Sequence, residues 1–336
     1  MDDSSKIRSI LITGCSSGIG LCLANGLRSE GYRVFASARK MDDVLKLKEL
    51  GFETLLLDLS SSGSVNAAIN ELYKKTDSLY ALINNGAYGQ AGALEDISRN
   101  TLEKQFQANV FGWHELTNLV LLRMRELNVG RIIYISSVLG FVAMPLRGPY
   151  VSSKFAIEGL VNTLRLELKN TDIKFSVIQP GPIESKFRQN AFLAFKENVD
   201  ISNSNYQENY KVMIERLNSD ENVQFTLQPE AVLKCAIHAL DSKKPKNYYR
   251  VTLVNNAHNS PINPGISHIA DITFEIPAGT PDASIVVLDL QDAEITDFND
   301  LPMHAESIPG EVYIGIPPAA YTIQNTSGAL IPGGTG

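Results

Sequence analysis

The first 250 residues alternate short apolar runs with segments of helical periodicity, and this alternation strongly limits the possible folds. Nearly continuous apolar runs are expected of parallel strands that are covered on both faces. Repeated β–α units imply a parallel sheet with right-handed crossovers. The sequence therefore predicts an α/β fold with a doubly wound parallel sheet. The predicted strands lie at 9–13, 33–38, 53–58, 80–85, 131–137 and 174–180, and the predicted helices at about 18–30, 42–50, 63–75, 99–127, 150–169 and 229–240.

The composition changes sharply near residue 250. All 30 Lys and Arg residues lie at or before Arg250, and the segment that follows is acidic and rich in proline. We therefore predict a domain at 1–254 and a β-rich acidic tail at 255–336. Within the tail, apolar runs bounded by turn residues predict β-strands at 270–276, 284–290 and 310–316. The stretch 272–297 resembles the latter half of cohesin-like β-sandwich modules, so the tail is either a partial module or the product of a fusion or sequence-assembly join.

The overall composition argues against several classes of function. A formal net charge of −7 speaks against nucleic acid as the main partner. The three cysteines, Cys15, Cys22 and Cys235, have no metal-ligand spacing and suit a reducing compartment. No apolar run approaches the roughly 18 residues that a membrane-spanning helix needs, and the polar N-terminus lacks the pattern of a signal peptide. We expect a cytoplasmic protein with no metal site and no transmembrane segment.

The first predicted strand ends in the glycine-rich segment TGCSSGIG at 13–20. Gly14, Gly18 and Gly20 follow a strand and open a helix, which is the context of a dinucleotide-binding turn. Glycine there allows a tight turn and lets a pyrophosphate approach the N-terminal N–H groups of the helix. An ordinary tight turn is the alternative interpretation.

Two further strand ends indicate which nucleotide would bind. Arg39 and Lys40 follow the second strand, where NAD-binding sheets commonly place an acidic residue. A base in that place favours the 2′-phosphate of NADP(H), and the hydroxyls of Ser16 and Ser17 add donors; two solvated bases are the alternative. Asp58, at the end of the third strand, either accepts from an adenine amine or caps the turn that follows.

Tyr150 and Lys154 lie four residues apart in a predicted helix, so they share one helix face. A free tyrosine has a pKa near 10, and a nearby cation lowers that pKa toward the range useful for proton transfer. The alternative is a half-exposed pair with no chemical role. Ser137 ends the fifth strand region, thirteen residues before Tyr150. Asn109 is either a surface amide or marks a helix kink that holds a water for a proton relay.

Together these motifs resemble the short-chain dehydrogenase/reductase family over about residues 6–254. The resemblance is carried by TGCSSGIG at 13–20, NNGA at 84–87, Asn109, Ser137, Tyr150, Lys154 and PGPIES at 180–185. Within the family the chain looks most like the branch of retinol dehydrogenases and 17β-hydroxysteroid dehydrogenases, and like the bacterial NADP-dependent oxidoreductases and aldehyde reductases of that branch. It departs in having NNGA where the family usually has NNAG, and Ser185 where threonine is commoner.

The resemblance implies a Rossmann-type sheet of strand order 3-2-1-4-5-6-7 and an NADP(H)-dependent oxidoreductase. It implies that Tyr150 is the acid/base, that Lys154 lowers its pKa and holds the nicotinamide ribose, that Ser137 binds the substrate oxygen and that Asn109 supports a proton relay. It also implies a homo-oligomer formed through the helices at 99–127 and 150–169. The positions that match the family's cofactor contacts are Gly14, Ser16, Ser17, Gly18, Ile19, Gly20, Arg39, Asp58, Leu59, Asn85, Gly86, Tyr150, Lys154, Pro180, Gly181, Ile183 and Ser185.

The segment 186–228 is rich in aromatic residues and would cover the substrate, with 138–146 as the opposite wall. Apolar clefts with few polar groups bind apolar ligands, so we expect a hydrophobic aldehyde, ketone or alcohol. The alternative is that these aromatics only pack the covering segment onto the core. The rival function is a catalytically idle binding or scaffold protein that acts through its β-rich tail.

Overall fold

The computed structural model describes residues 7–218 and 226–252, together with short strands between 284 and 331. The chain divides into two compact units, Met1–Leu253 and Val254–Gly336. In the first unit, seven parallel strands form one sheet in the order β3-β2-β1-β4-β5-β6-β7, which confirms the predicted fold and strand order. These strands are β1 (Ser9–Ile12), β2 (Arg33–Ala38), β3 (Glu53–Leu56), β4 (Ala81–Asn84), β5 (Val129–Ile135), β6 (Asp172–Pro180) and β7 (Tyr248–Val251).

Helices flank this sheet and follow the strands in alternation. The helices described in this unit are α1 (Gly18–Ser29), α2 (Met41–Glu49), α3 (Ser62–Lys75), α4 (Arg99–Phe106), α5 (Gly112–Leu127), α6 (Gly148–Glu167), α7 (Phe187–Asn198), α8 (Gln207–Asn218) and α9 (Glu230–Asp241). None of the helices in the described part of the chain has the length and apolar character needed to span a bilayer.

The continuous apolar runs arise because each face of the sheet carries its own core. In β1, Ile10 and Ile12 belong to one buried cluster with helices α1 and α9, whereas Leu11 belongs to the other. Successive side chains of a strand point to opposite faces, so a strand covered on both faces is apolar at most of its positions. Each fully buried Leu or Ile contributes roughly 1.5–3 kcal/mol. The strand order reverses between β1 and β4, and sheets of this kind bind ligands at the carboxyl ends of the strands beside that reversal.

The long helix predicted at 99–127 is interrupted. Between α4 and α5 the backbone forms a π-helical turn at Gln107–Phe111. An apolar periodicity indicates a helix but does not distinguish the i+4 from the i+5 hydrogen-bond pattern, so the sequence could suggest only a kink near Asn109. Turns of this kind occur frequently at functional sites.

Residues 187–218, to which the sequence analysis assigned no secondary structure, contain α7 and α8. We call this pair of helices, Phe187–Asn218, the cap. Apolar side chains recurring at helical spacing bury one face of each cap helix: Phe195 of α7 and Tyr210, Met213 and Leu217 of α8 pack with the segment 91–97. The cap is therefore attached through its own small core.

The second unit contains short antiparallel strands. The strands β8 (Ser284–Leu288), β11 (Gly310–Ile314), β12 (Ile323–Gln324) and β13 (Leu330–Ile331) form one sheet, and β9 (Ile295–Thr296) pairs with β10 (Pro302–Met303). The strands predicted at 284–290 and 310–316 are confirmed by β8 and β11. The strand predicted at 270–276 lies outside the described residues.

Candidate active site

Hydrogen bonds of Thr13 connect the glycine-rich turn to the segment that follows β4. The Thr13 hydroxyl accepts hydrogen bonds from the backbone N–H groups of Asn85 (2.9 Å) and Gly86 (2.8 Å). The side-chain amide of Asn85 in turn donates to the carbonyls of Thr13 (2.8 Å) and Gly14 (3.1 Å). These bonds bring the predicted segments 13–20 and 84–87 together at the point where the strand order reverses.

Two of the three glycines in the turn are required by its backbone. Gly14 and Gly18 have φ values of 72° and 55°, and a Cβ on Gly14 would lie 2.5 Å from the Gly86 Cα. At the start of α1, Ser17 makes no side-chain capping bond to the first turn. The N-terminal N–H groups of α1 are therefore left for an anion, and this arrangement fits the pyrophosphate of a dinucleotide.

The neighbouring strand ends place the other predicted nucleotide contacts. Arg39 and Lys40 are exposed directly after β2. Asp58 follows β3, and its Oδ1 accepts bonds from the backbone N–H (2.9 Å) and hydroxyl (2.6 Å) of Ser60. Asp58 therefore caps the turn, as one of the two interpretations expected. Leu59 lies beside the same crevice, because a Cβ on Gly86 would come within 3.1 Å of the Leu59 Cδ1.

The segment PGPIES reaches the glycine-rich turn from the other side. Pro180 ends β6, and the Gly181 N–H donates to the Val251 carbonyl at 2.9 Å. Ile183 forms an isolated bridge with Leu227. Ser185 is exposed and lies beside Gly18, since a Cβ on that glycine would stand 2.9 Å from the Ser185 Cβ. The structure thus brings PGPIES next to TGCSSGIG, which are far apart in the sequence.

Tyr150 lies in the first turn of α6 and faces Ser137 at the end of β5. The hydroxyl of Ser137 lies near that of Tyr150, and it accepts a hydrogen bond from the Leu139 N–H at 3.1 Å. The Tyr150 side chain is buried, and its ring centroid is 5.2 Å from that of Phe187 in the cap. Burial raises the pKa of Tyr150 to about 12, and the nearby Ser137 hydroxyl opposes this rise.

Lys154 lies one turn further along α6 and is only 1% exposed. Its Nζ donates to the Ile135 carbonyl at 2.8 Å and lies 4.3 Å from the ring centroid of Trp113 and 5.6 Å from that of Tyr150. Burial lowers the pKa of Lys154 to about 7, and the carboxylate of Glu158 opposes this effect. The alternative of a half-exposed Tyr–Lys pair is therefore wrong.

One electrostatic expectation needs correction. The spacing of Tyr150 and Lys154 in the sequence predicted that the Lys154 cation lowers the pKa of Tyr150. In the structure burial outweighs other influences and raises that pKa, and Ser137 is the group that lowers it. The physical reason is that both side chains are buried, and burial disfavours the charged form of each.

Asn109 occupies the π-helical turn and is fully buried, so the surface-amide alternative is wrong. Its Oδ1 accepts from the Tyr88 N–H at 3.2 Å, and its Nδ2 donates to the Tyr88 carbonyl (2.9 Å) and to the Ser153 hydroxyl (3.2 Å). Ser153 donates to the Tyr150 carbonyl at 2.7 Å. Asn109 is thus connected through Ser153 to the helix that carries Tyr150.

Three residues of this site were missed by the sequence analysis. They are Thr13, which joins β1 to β4; Ser153, which links Asn109 to α6; and Trp113, which packs on Lys154 and donates to the Gly86 carbonyl at 2.8 Å. A signal was present for two of them. Thr13 is the first residue of the glycine-rich segment, and Trp113 is the single tryptophan, four residues after Asn109.

Comparison with known proteins identifies the family to which this arrangement belongs. The sequence model described as "short chain dehydrogenase" matches residues 8–194. The chain belongs to the short-chain dehydrogenase/reductase family. It is therefore an oxidoreductase of a family that binds a nicotinamide cofactor and acts on small molecules.

Curated relatives of this short-chain dehydrogenase carry several names. An oxidoreductase of Escherichia coli K12, YbbO, is 43% identical over 74% of this chain and 86% of its own length. The NADPH-dependent 3-dehydrocapnine reductase of Ornithobacterium rhinotracheale is 31% identical over 73% of this chain and 88% of its own. Human retinol dehydrogenase 8 is 34% identical over 54% of this chain and 60% of its own.

Solved structures show the same fold as this short-chain dehydrogenase. A short-chain dehydrogenase from Streptomyces avermitilis aligns with a TM-score of 0.63 and 24% identity over 74% of this chain and 88% of its own. A second short-chain dehydrogenase, from Burkholderia phymatum and in complex with NAD, aligns with a TM-score of 0.63 and 21% identity over 73% of this chain and 89% of its own. The resemblance of the tail to cohesin-like modules is not borne out.

Proposed function

We propose that this protein is an NADP(H)-dependent oxidoreductase that interconverts an apolar aldehyde or ketone and its alcohol, with Tyr150 as the acid/base. The observation that carries the proposal is the assembly of three groups: the buried Tyr150 phenol, the nearby Ser137 hydroxyl that lowers its pKa, and the buried amine of Lys154. Family membership and this assembled set favour an enzyme over the scaffold alternative.

In this proposal Tyr150 and Ser137 share the task of binding the substrate oxygen. When bound, NADPH would supply the hydride. A pKa of about 12 keeps the Tyr150 phenol protonated at neutral pH, so it can donate a proton to a carbonyl oxygen as that oxygen gains negative charge. The Ser137 hydroxyl is placed to donate a second hydrogen bond to the same oxygen. Lys154 would hold the nicotinamide ribose, and Asn109 would position α6 through Ser153.

The proposed preference for NADPH rests on the end of β2. Arg39 and Lys40 are exposed there, and the described residues 38–40 contain no carboxylate that would bind a ribose 2′-hydroxyl. A guanidinium accommodates a 2′-phosphate in this place. The relative from Ornithobacterium rhinotracheale is named as NADPH-dependent, which agrees with this assignment. The other proposed cofactor contacts are the sequence-matched positions that surround the same crevice.

The proposed substrate is apolar because of what covers Tyr150. Phe187 packs on the Tyr150 ring, and Phe192, Leu146 and Met213 belong to the apolar cluster that attaches the cap. An aliphatic or aromatic chain would replace water favourably against these side chains. A relative named for retinol, which is an apolar alcohol, is consistent with this substrate class.

Two further properties belong to the proposal. The exposed apolar side chains Phe111, Leu122, Phe155 and Leu166 lie between Gln107 and Glu167 on α5, α6 and the preceding π turn, and we assign this surface to a homo-oligomer contact. The size of the protein in solution, measured by light scattering, tests that contact: Leu122→Glu should shift an oligomer toward monomer.

The three cysteines are free, which supports the reducing environment of the cytoplasm.

The function is tested by consumption of NADPH with a ladder of aldehydes such as propanal, hexanal and decanal, with NADH run in parallel. We expect turnover to favour NADPH and to rise with chain length. Arg39→Ala should raise the KM for NADPH about tenfold and leave that for NADH unchanged, because only NADPH carries the 2′-phosphate. Absence of turnover in a protein that binds NADPH would favour the scaffold alternative, and a preference for propanal would overturn the apolar substrate.

A further inference from the structure

The ring of Phe187, the first residue of α7, packs against both Tyr150 and the backbone at Gly89. The Phe187 and Tyr150 ring centroids are 5.2 Å apart, and the ring planes are inclined at 60°. A Cβ on Gly89 would lie 2.6 Å from the Phe187 Cζ and 3.6 Å from the Tyr150 Cδ2. A side chain at position 89 would therefore displace the Phe187 ring from its place beside Tyr150.

Buried amides fix the backbone on both sides of Gly89. The Gln90 N–H donates to the Gln105 Oε1 at 2.6 Å, and the Gln105 Nε2 donates to the Tyr88 carbonyl at 2.9 Å. Both glutamines are fully buried. The surface against which Phe187 packs is therefore held to α4, and it does not yield easily.

The helix that carries Phe187 is held by the same glutamine. The Gln90 Nε2 donates to the Ala194 carbonyl at 3.3 Å, and the Asn198 Nδ2 donates to the Gln90 Oε1 at 3.1 Å. At the other end of α7, the Phe187 N–H donates to the Ser185 Oγ at 3.3 Å. Contacts at both ends of the helix thus hold Phe187 in place.

This arrangement restricts the space next to the proposed proton donor. Tilted rings with centroids 5.2 Å apart are in van der Waals contact, so no further carbon fits between Phe187 and Tyr150. The phenol oxygen is bonded to one of these rings. A compound whose carbonyl oxygen bonds that phenol therefore places its carbonyl carbon beside the contact. An aldehyde carries hydrogen as the second substituent of that carbon, whereas a ketone carries a carbon that must displace the Phe187 ring.

We propose that Phe187, held in place by Gly89 and Gln90, is a specificity-determining residue that admits aldehydes and primary alcohols and excludes ketones and secondary alcohols. This inference rests on the proposed function and narrows its substrate class from aldehydes or ketones to aldehydes.

Calorimetric binding of 1-decanol and 2-decanol to the full chain tests the selectivity without requiring turnover. NADPH is present in both titrations, since it carries no site for a hydride and keeps either alcohol unreacted. The wild type should bind 1-decanol at least about tenfold more tightly, because the second alcohol adds one methyl group beside Phe187. Phe187→Ala should reduce this ratio to less than about threefold. Phe195→Leu is the control for a loosened cap: Phe195 packs on Tyr210 with ring centroids 5.0 Å apart, and its variant should keep the wild-type ratio.

Turnover of decanal and 2-decanone tests the same residue in the reaction. Phe187→Ala should raise the ratio of kcat/KM for 2-decanone to that for decanal about tenfold, and the intrinsic difference in reactivity cancels because both compounds are compared in each protein. Gly89→Ala should lower kcat/KM for decanal about tenfold in the wild type and less than about twofold in Phe187→Ala, since the clash needs the Phe187 ring. Gly89 does not have a positive φ, so alanine itself causes no backbone strain there.

Other outcomes overturn the selectivity and are distinguishable from failure of the enzyme assignment. Equal changes of the alcohol ratio in Phe187→Ala and Phe195→Leu would assign the effect to a loosened cap and refute the role of Phe187. If decanal is reduced while Phe187→Ala leaves both ratios unchanged, the oxidoreductase proposal stands and the selectivity is wrong. If Phe187→Ala abolishes the preference for 1-decanol and neither carbonyl compound is reduced by the wild type, the selectivity stands and the proposed reaction is wrong.

Discussion

Replacing Tyr150 with phenylalanine removes one oxygen and leaves the ring in place. The ring would still pack at about 5.2 Å from Phe187, and the lost hydroxyl lies near that of Ser137. We therefore expect a small stability cost, at most about 1 kcal/mol, from the loss of this hydroxyl. Turnover should fall far more, by about 10²–10⁴-fold, because the general acid is gone while the cofactor contacts remain.

The assay is aldehyde-dependent NADPH consumption, accompanied by NADPH binding and urea unfolding of the same preparation. Tyr73→Phe is a matched control: the Tyr73 hydroxyl is buried with no hydrogen-bond partner within the described residues, so its loss should leave turnover unchanged and not destabilise the protein. The reasoning is refuted if Tyr150→Phe retains more than about a tenth of wild-type turnover, since a general acid contributes at least about 10²-fold.

The remaining predictions concern the turn, the buried lysine and the π-helical turn. Gly14→Ala should destabilise the protein by about 2–4 kcal/mol in urea unfolding and weaken NADPH binding, because position 14 has a positive φ and the new Cβ would lie 2.5 Å from the Gly86 Cα. Gly159 has open space around it, so the control Gly159→Ala should stabilise the protein by roughly 0.5–1 kcal/mol in the same assay. The unfolded chain keeps the Lys154 proton up to about pH 10.5, whereas the folded protein releases it near pH 7, so the unfolded state binds more protons between these values and stability should rise with pH. Urea unfolding should show about 2 kcal/mol of this rise between about pH 7 and pH 9, and Lys154→Met should lack it; a rise that persists in the variant contradicts the assignment. Asn109→Ala should cost about 2–3 kcal/mol in unfolding free energy by leaving buried polar partners unpaired, and an unchanged free energy would refute its linking role.

The sequence predicted the sheet well because the signal is repeated and local. A strand that is buried on both faces needs apolar residues at consecutive positions. In β1 these are Ile10, Leu11 and Ile12, which form a recognisable apolar run in the sequence. Strand order followed from the family resemblance, which the fold confirms.

The site was less accessible to sequence reasoning where its properties depend on tertiary structure. The pKa of Tyr150 depends on how completely it is buried, and Phe187, part of the burying surface, is distant along the chain. Likewise Thr13 resembles any strand-ending residue until Asn85 and Gly86 are seen to donate to it. The cap helices were missed because their apolar spacing is mixed with aromatic residues, which were assigned to substrate contact instead.

Transfer of deuterium tests the central claim most directly. Decanal would be reduced by the full chain with NADPH deuterated at nicotinamide C4, in separate 4R and 4S preparations, and the decanol analysed by mass spectrometry. The account predicts one deuterium at C1 of decanol from one of the two preparations, and almost no product with Tyr150→Phe. Decanol without deuterium from either preparation would contradict hydride transfer from the nicotinamide, and with it the proposed function.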